Sequence, residues 1–443
     1  MGVMGGTSLF GDDLGTPEGK GEAKQATGAP RVKRPDRRQA ILRPQVIDQL
    51  IPPDHRARAM VKFIEQLDLE AFYAPIKSRG DEPGRPATDP AMLIALWLFA
   101  TSEGVGSGRQ LERLCDRDDA YRWICGGVQV NQHTLTDFRI DHGQALDHLM
   151  TQGLGVLMHQ GLVQLQRVTQ DGVRVRASAG AASFRSAKGL KKCLQVAKEQ
   201  VRKTKAMLDK DDPTRSDKMR EAAARAAREH MVQVEKAVSE LKKLQASKSS
   251  QAEAERARVS TTDPEARVMR MADGGYRPAF NLQLAVDTDT RAIVGVGVTN
   301  CGSDMGQITP MLEDVERRAD KRPREWLVDG GYTALTDIQA AGEKGVKVLA
   351  PVPQPRADVD PHQSKKNDET HVAAWRKRMG TEDAKETYKL RAATSERTNA
   401  DLRTHRGLQQ LPVRGIEKTL IVGLWMAISY NALLWIGANA ASL

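Results

Sequence analysis

Apolar residues recur at helical spacing from about residue 41 to 162, and the pattern changes to short β segments from Val163 onward. Asp89-Pro90 has the form of an N-cap followed by proline at the first helical position, and it leads into Met92, Leu93, Leu96, Trp97 and Leu98. Gly104, Gly106 and Gly108 then break the chain, with Ser107 placed to cap a helix carrying Leu111 and Leu114. Thr134 with Asp137 resembles a capping-box start, with Asp in place of Glu, for a helix holding Phe138, Leu146 and Leu149.

Residues 165–177 form one strand region, with an interruption expected at Asp171-Gly172. In residues 279–286, Phe280, Leu282, Leu284 and Val286 alternate onto one face. Val294, Val296 and Val298 resume the alternation after a turn at 287–291, which is a β-hairpin pattern. Ser303 or Asp304 is expected to cap a helix running to Ala319. Trp326-Leu327-Val328 is a short apolar run ending in Asp329-Gly330-Gly331, and a helical stretch bearing Asp337 and a strand at 346–349 follow. A long helical pattern covers residues 382–405 and stops at Gly407. The order strand, β-hairpin, helix, strand, helix, strand, helix predicts an α/β fold with a mixed sheet.

Residues 188–258 interrupt this order with a charged insertion. Leu190, Leu194, Ala197, Val201 and Leu208 fall on one helical stripe. Ala227, Met231, Val234, Val238 and Leu241 repeat with coiled-coil spacing, which fades at Gln245. With Asp211-Asp212-Pro213 turning the chain between them, the two stripes predict an antiparallel helical hairpin whose charges form a solvated face. Residues 419–443 contain no charged side chain, but Ser429, Asn431, Asn439 and Ser442 favour a buried closing helix over a membrane span. Residues 1–37, rich in Gly, Pro, Lys and Arg, read as a flexible basic arm without the apolar stretch of a signal peptide.

The chain of 443 residues carries 67 Lys and Arg against 57 Asp and Glu, a net charge of +10 that favours a polyanionic partner. Cys115, Cys125, Cys193 and Cys301 are scattered without a CxxC pair, so neither a zinc site nor a disulfide framework is expected, and a reducing cytoplasmic setting fits. Short helices with Arg109, Arg113, Arg122 and Arg139 suit a helix-turn-helix-like DNA-binding unit, and a plain helical bundle with solvated arginines fits them as well.

Three acids stand out by context. Asp171 lies beside a β run, Asp329 ends one, and Glu396 sits within the 382–405 helical pattern. Carboxylates at strand ends with a third on a facing helix can share two Mg²⁺ ions about 4 Å apart. Taken singly, each has a plainer reading: Asp-Gly is a common turn dipeptide, and Glu396 is one helix-surface glutamate among several.

In combination they resemble a family. Gln170-Asp171-Gly172-Val173-Arg174-Val175-Arg176-Ala177, Asn281-Leu282-Gln283-Leu284-Ala285-Val286-Asp287, Val328-Asp329-Gly330-Gly331-Tyr332, and Tyr388-Lys389-Leu390-Arg391 leading through Glu396 to Arg406-Gly407-Leu408 resemble the catalytic core of bacterial insertion-sequence transposases. Residues 41–162 look like the helical N-terminal domain of the same enzymes. The resemblance implies an RNase H-like catalytic domain over 163–443, interrupted by the hairpin, and a helical DNA-binding domain over 38–162. It also implies a DDE site made of Asp171, Asp329 and Glu396, which binds Mg²⁺ with Mn²⁺ as a substitute. The family's helix motif runs Tyr, two residues, Arg, three residues, Glu, six residues, Lys. Here Ser395 stands at the Glu position, Glu396 comes one later, and Arg403 takes the Lys position counted from Glu396.

The implied activity is cleavage of DNA at the ends of a mobile element and transfer of the freed strand to target DNA. Double-stranded DNA, both the terminal inverted repeats and the target, is the partner, with a homo-oligomer assembled on it and no membrane involved. Arg391 and Arg403 would clamp phosphates, Tyr388 would pack against or hydrogen-bond the DNA backbone, and Arg109, Arg113 and Arg139 would contact DNA from the N-terminal helices. The protein would work in the cytoplasm, on the nucleoid. Two other readings stay open on the residues alone: a DNA-binding protein that keeps the fold without catalysis, which the off-register Glu396 allows, and a nuclease of this fold that cuts without joining.

Overall fold

The computed structural model describes residues 46–80, 85–208, 217–355 and 359–440; the basic arm and the expected turn at Asp211-Asp212-Pro213 lie outside them. The first described stretch is helical, with α1 at Arg56–Ile64, α2 at Pro90–Ser102, α3 at Gly108–Arg117, α4 at Asp119–Cys125, α5 at Gln132–Asp141 and α6 at Gly143–His159. Asp89 caps α2 by accepting from the Ala91 N–H, with Pro90 at the first helical position, and Ser107 caps α3. Helix α5 starts earlier than Thr134 suggests. Asn131 is its cap and accepts from the Thr134 N–H, so Thr134 lies inside the helix.

Six strands form one mixed sheet: β1 (Arg167–Arg176), β2 (Arg267–Arg270), β3 (Tyr276–Asp287), β4 (Ile293–Thr299), β5 (Glu325–Leu327) and β6 (Lys347–Leu349). β1 lies between antiparallel β3 and parallel β5, and β6 is parallel to β5 at one edge. β2 and β4 pair with successive parts of β3 on its other side.

β1 runs unbroken through Asp171-Gly172, which pair with Leu284 and Gln283, so the interruption expected there does not occur. Gly172 is needed for space rather than for a turn. A Cβ there would stand 2.5 Å from Asp304 Oδ1 and 2.7 Å from Asn281 Oδ1 and Gln283 Nε2.

Helices cover both faces of the sheet. On one, α9 (Ile308–Ala319) sets Met311 and Val315 against Gly295. On the other lies α14 (Ile416–Ala438), whose Gly423 lets it approach Leu282 and Val296. Although α14 is long and apolar enough to cross a membrane, about two-thirds of it is buried. Its polar residues are bonded inside the fold: Asn431 bonds both backbone groups of Ile293, and Ser429 donates to the Leu98 carbonyl. One apolar core therefore runs from α1 and α2 through α14 into the sheet.

The insertion is a pair of helices, α7 (Ala187–Leu208) and α8 (Asp217–Ala246). Leu190 at the start of α7 packs with Ala237 and Leu241 late in α8, and Arg220 early in α8 donates to the Met207 carbonyl, so the helices are antiparallel. Beyond the sheet, α10 (Leu335–Glu343) precedes β6. After it come α11 (Thr370–Met379), α12 (Glu382–Arg391), a π-helical turn at Ala392–Glu396, and α13 (Arg397–His405). Gly407, at a φ of +75°, ends this continuous helical run as its position predicts.

Candidate active site

Successive side chains of a strand point to opposite faces. On β1 this sends Thr169 and Asp171 toward the 382–405 helix, and Gln170 toward α9. Asp171 Oδ2 accepts from Asn399 Nδ2 at 2.8 Å, whereas Gln170 Nε2 reaches Gln283 Oε1 and the Gln307 carbonyl, each at 2.9 Å. The parallel register pairs Thr169 with Leu327. Two residues further along both chains stand Asp171 and Asp329, which makes them neighbours although they are far apart in sequence. Asp329 Oδ1 accepts from the Gly331 N–H at 2.7 Å, and that bond fixes the turn after β5.

The third acid arrives through an irregular turn. Residues five apart on an α-helix diverge by about 140°, so Arg391 and Glu396 could not point the same way on a regular helix. The π turn closes i to i+5 and brings residue i+5 back over residue i. Ser395 takes the inward position expected for the family's glutamate. It is 1% exposed, accepts from Thr169 Oγ1 at 3.4 Å and donates to the Arg391 carbonyl at 2.9 Å. The Glu396 side chain is 66% exposed and reaches the site from the solvent side.

All three acids surround one guanidinium. Arg391 Nη2 lies 3.6 Å from Asp171 Oδ1 and 3.5 Å from Asp329 Oδ2, and its Nη1 lies 3.7 Å from Glu396 Oε1. Among the described residues no three acid, imidazole or thiol groups close on a common point at ligand distance, because Arg391 stands between these three. Burial pushes the Asp171 carboxyl up to about 6. Arg391 and the Gly172 N–H oppose that rise, and the nearby charges of Asp329 and Asp304 add to it. Tyr388 is half-buried beside the group, and burial raises its phenol.

The residues picked from sequence for DNA contact divide. Arg403, seven residues after Glu396, has no hydrogen bond or ion pair among the described residues. Arg109 is exposed and donates to Gln132 Oε1 at 3.0 Å, and Arg113 is exposed on the same helix, α3. Arg139 departs from its expected role. It is 7% exposed, its guanidinium lies 4.5 Å from the centroid of the Trp97 ring, and it donates to the Gly106 carbonyl. An arginine sealed between helices in this way holds the core and cannot reach DNA.

One acid is used differently from its sequence reading, and another, on the helix where it was expected, proves to be buried. Asp304 caps no helix, since α9 begins at Ile308; instead it accepts from Asn281 Nδ2 at 2.6 Å and Gln283 Nε2 at 2.7 Å, behind Gly172. Asp337 is buried and holds the start of α9, accepting from the Ile308 N–H and the Thr309 hydroxyl. Asn399, bonded directly to Asp171, is a site residue that the sequence reading missed. Its only signal was its place one turn beyond Glu396.

Two family models match the chain: the Transposase domain (DUF772) over residues 45–141 and the Transposase DDE domain over residues 250–432. The second range holds Asp329 and Glu396 and begins after Asp171. No curated protein and no solved structure matches. The mixed sheet with β1 between an antiparallel and a parallel neighbour is RNase H-like, as the sequence resemblance implied. Both models describe the same kind of enzyme and together they span more than half of the chain, so this protein belongs to the insertion-sequence DDE transposases.

Proposed function

We propose that Asp171, Asp329 and Glu396 are the catalytic carboxylates of this transposase and that they bind Mg²⁺, with Mn²⁺ as a substitute. The observation that carries this reading is the single guanidinium within 3.7 Å of all three. The donor set fits a hard divalent cation. It consists of carboxylate oxygens with no histidine or thiol, burial and then the nearby Asp329 charge raise the Asp171 pKa, and a buried oxygen beside them, Asn399 Oδ1, has no partner among the described residues. When bound, such ions activate an attacking oxygen and stabilise a leaving one.

The chain's own residues do the positioning. Asp171 projects from β1, and Asp329 from the turn that follows the neighbouring β5, so the pairing of the two strands and the Asp329–Gly331 bond of that turn set their spacing. Arg391, with its side chain 13% exposed, keeps the three acids gathered. Arg403 lies within about 20° of Glu396 on a regular helix and has no partner among the described residues, so it would meet a DNA phosphate bound at the site; its forked geometry suits that group. Tyr388 lines the same face. DNA is cut at the terminal repeats of the element, and the freed 3′ end is joined to target DNA by an oligomer of this chain acting in the cytoplasm. Residues 38–162 form the recognition domain, with Arg109 and Arg113 on its surface and the basic arm of residues 1–37 adding phosphate contacts.

The test uses the full chain and DNA from the borders of its own gene, with and without Mg²⁺, mapping cut and joined ends. Asp329→Asn and Asp171→Asn should keep DNA binding and lose cleavage by several orders of magnitude, whereas Glu386→Gln, exposed on α12, should cut normally. Equal cleavage by Asp329→Asn and Glu386→Gln would overturn the assignment. Binding with a steep salt dependence, roughly −0.9 in log–log slope per phosphate, but with no cleavage under any condition would instead favour the DNA-binding reading, which the exposure of Glu396 keeps in view.

A further inference from the structure

Asn399 is 8% exposed, and its amide is only half used. Nδ2 donates to Asp171 Oδ2 at 2.8 Å, while Oδ1 is buried without a hydrogen-bond partner among the described residues. An ionised carboxylate can only accept, so the contact with Asp171 fixes which end of the amide is nitrogen. Both atoms sit on one carbon, so the unpartnered oxygen lies beside the same carboxylate. A buried carbonyl oxygen without a donor is unfavourable and points to a partner that the protein alone does not supply. Helix α13 is regular, so Asn399, three residues after Glu396, lies about 60° round the helix from that acid, close enough for the two to be neighbours.

We infer that Asn399 is a fourth donor of the site, holding Asp171 through Nδ2 and offering Oδ1 to the divalent cation that the three carboxylates bind. This rests on the carboxylate reading above. An amide carbonyl is a hard, neutral oxygen ligand of the kind that Mg²⁺ and Ca²⁺ accept. It adds a ligand without adding negative charge to a pocket that already holds three acids. The π turn and α13 together thus present a Glu-x-x-Asn pair to the strand aspartates.

Mn²⁺ binding to the full-length protein, measured by calorimetry, separates a ligand role from a structural one. Asn399→Ala should weaken Mn²⁺ binding by about ten-fold or more, in the range seen when groups supporting a metal site are removed. The Mg²⁺ concentration for half-maximal cleavage should rise by a similar factor. Asn399→Asp keeps an oxygen in place but loses the donor to Asp171, and it should bind Mn²⁺ at least as tightly as the unaltered chain. If the amide serves only to hold Asp171, Asn399→Asp will lose affinity as Asn399→Ala does, and the ligand role falls. Where Asn399→Ala does not fold, Asn399→Ser, which stays polar but lacks the reach, carries the same expectation. Asp329→Asn is the reference. If it weakens Mn²⁺ binding and Asn399→Ala does not, the inference about Asn399 is wrong and the carboxylate reading stands. If neither weakens it, both are wrong.

Discussion

On the helical hairpin, exposed charged side chains pair along their own helix, whereas Lys236 and Glu240 of α8 reach out of it to Glu265 and Arg267. Glu199 meets Lys203 at 3.0 Å, with the two side chains 52% and 65% exposed. The hairpin buries its apolar stripe, including Leu190, Ala197, Ala227, Val234 and Leu241, and with it Glu240. The outer face of α12 looks the same, with Lys385 on Glu382 and Lys389 on Glu386. The inner end of that helix behaves differently. Arg391 is largely buried and meets one acid from β1, one from the turn after β5 and one from the π turn that follows it. Water screens a charge on an exposed regular helix, and its pairing adds little; the same charge against a sheet, among acids from separate elements, interacts in a lower effective dielectric. Charge density cannot distinguish the two settings, because the difference lies in what the helix packs against and in where it departs from 3.6 residues per turn.

That contrast can be broken most directly at the π turn. Inserting one alanine after Ala393 would rotate Tyr388 and Arg391 by about 100° against Glu396 and Asn399. A misplacement of this size in a positioned site costs roughly 100-fold or more in rate, so cleavage should fall by at least that factor while melting and DNA binding change little. Cleavage at the normal rate would show that the turn does not position Glu396.

A second buried charge sharpens the comparison without touching the site. Arg318, with its side chain 1% exposed, reaches Asp314 on its own helix at 2.9 Å, and it bonds the carbonyl and carboxylate of Asp147 on α6, tying the N-terminal helices to the sheet. Arg318→Met should cost about 3 kcal/mol, because two acids lose their buried partner. Burial raises the Asp147 carboxyl, but Arg318 and Arg317 outweigh it and hold the pKa below the ordinary value. The contribution of Asp147 is therefore fully present above about pH 4, the unfolded value, and is lost as pH falls through the lowered folded value. Urea unfolding at pH 7 and pH 3 should show a large difference between Arg318→Met and the unaltered chain at the higher pH and a smaller one at the lower.

Much of this fold is visible in the sequence because it rests on local periodicity. The alternation of residues 279–298 predicts the β3–β4 hairpin, and Gly407 predicts the end of the 382–405 helix. The failures are places where a distant residue decides. Asp171-Gly172 has the composition of a turn, yet it lies in a central strand, where glycine is required because Asp304, Asn281 and Gln283 leave no room for a side chain. Arg139 is indistinguishable in sequence from a solvated arginine until Trp97 is placed beneath it. Of the site, the two aspartates and the off-register glutamate were legible as motif words, but neither the π turn nor Asn399 has a periodic signature. Gly172→Ala tests the first of these failures. It should destabilise the protein by about 1–3 kcal/mol through overpacking, measured by thermal melting, and a stability equal to the unaltered chain would mean that the polar cluster behind β1 yields easily.

The smallest effects should come from the hairpin, where the comparison began. Lys203→Ala removes the pairing with Glu199 on a face where both side chains are more than half exposed. Exposed pairs one turn apart on a helix contribute roughly 0.3–0.5 kcal/mol, and alanine recovers part of that through its higher helix propensity. The melting temperature should therefore hardly move, and cleavage should match the unaltered chain at every Mg²⁺ concentration. Raising the salt from low to moderate should erase even the small stability difference, since screening acts on solvated charges first. If Lys203→Ala instead lowers cleavage or DNA affinity several-fold, the outer face of the hairpin is a contact surface, and its charges belong functionally with Arg391 rather than opposite it.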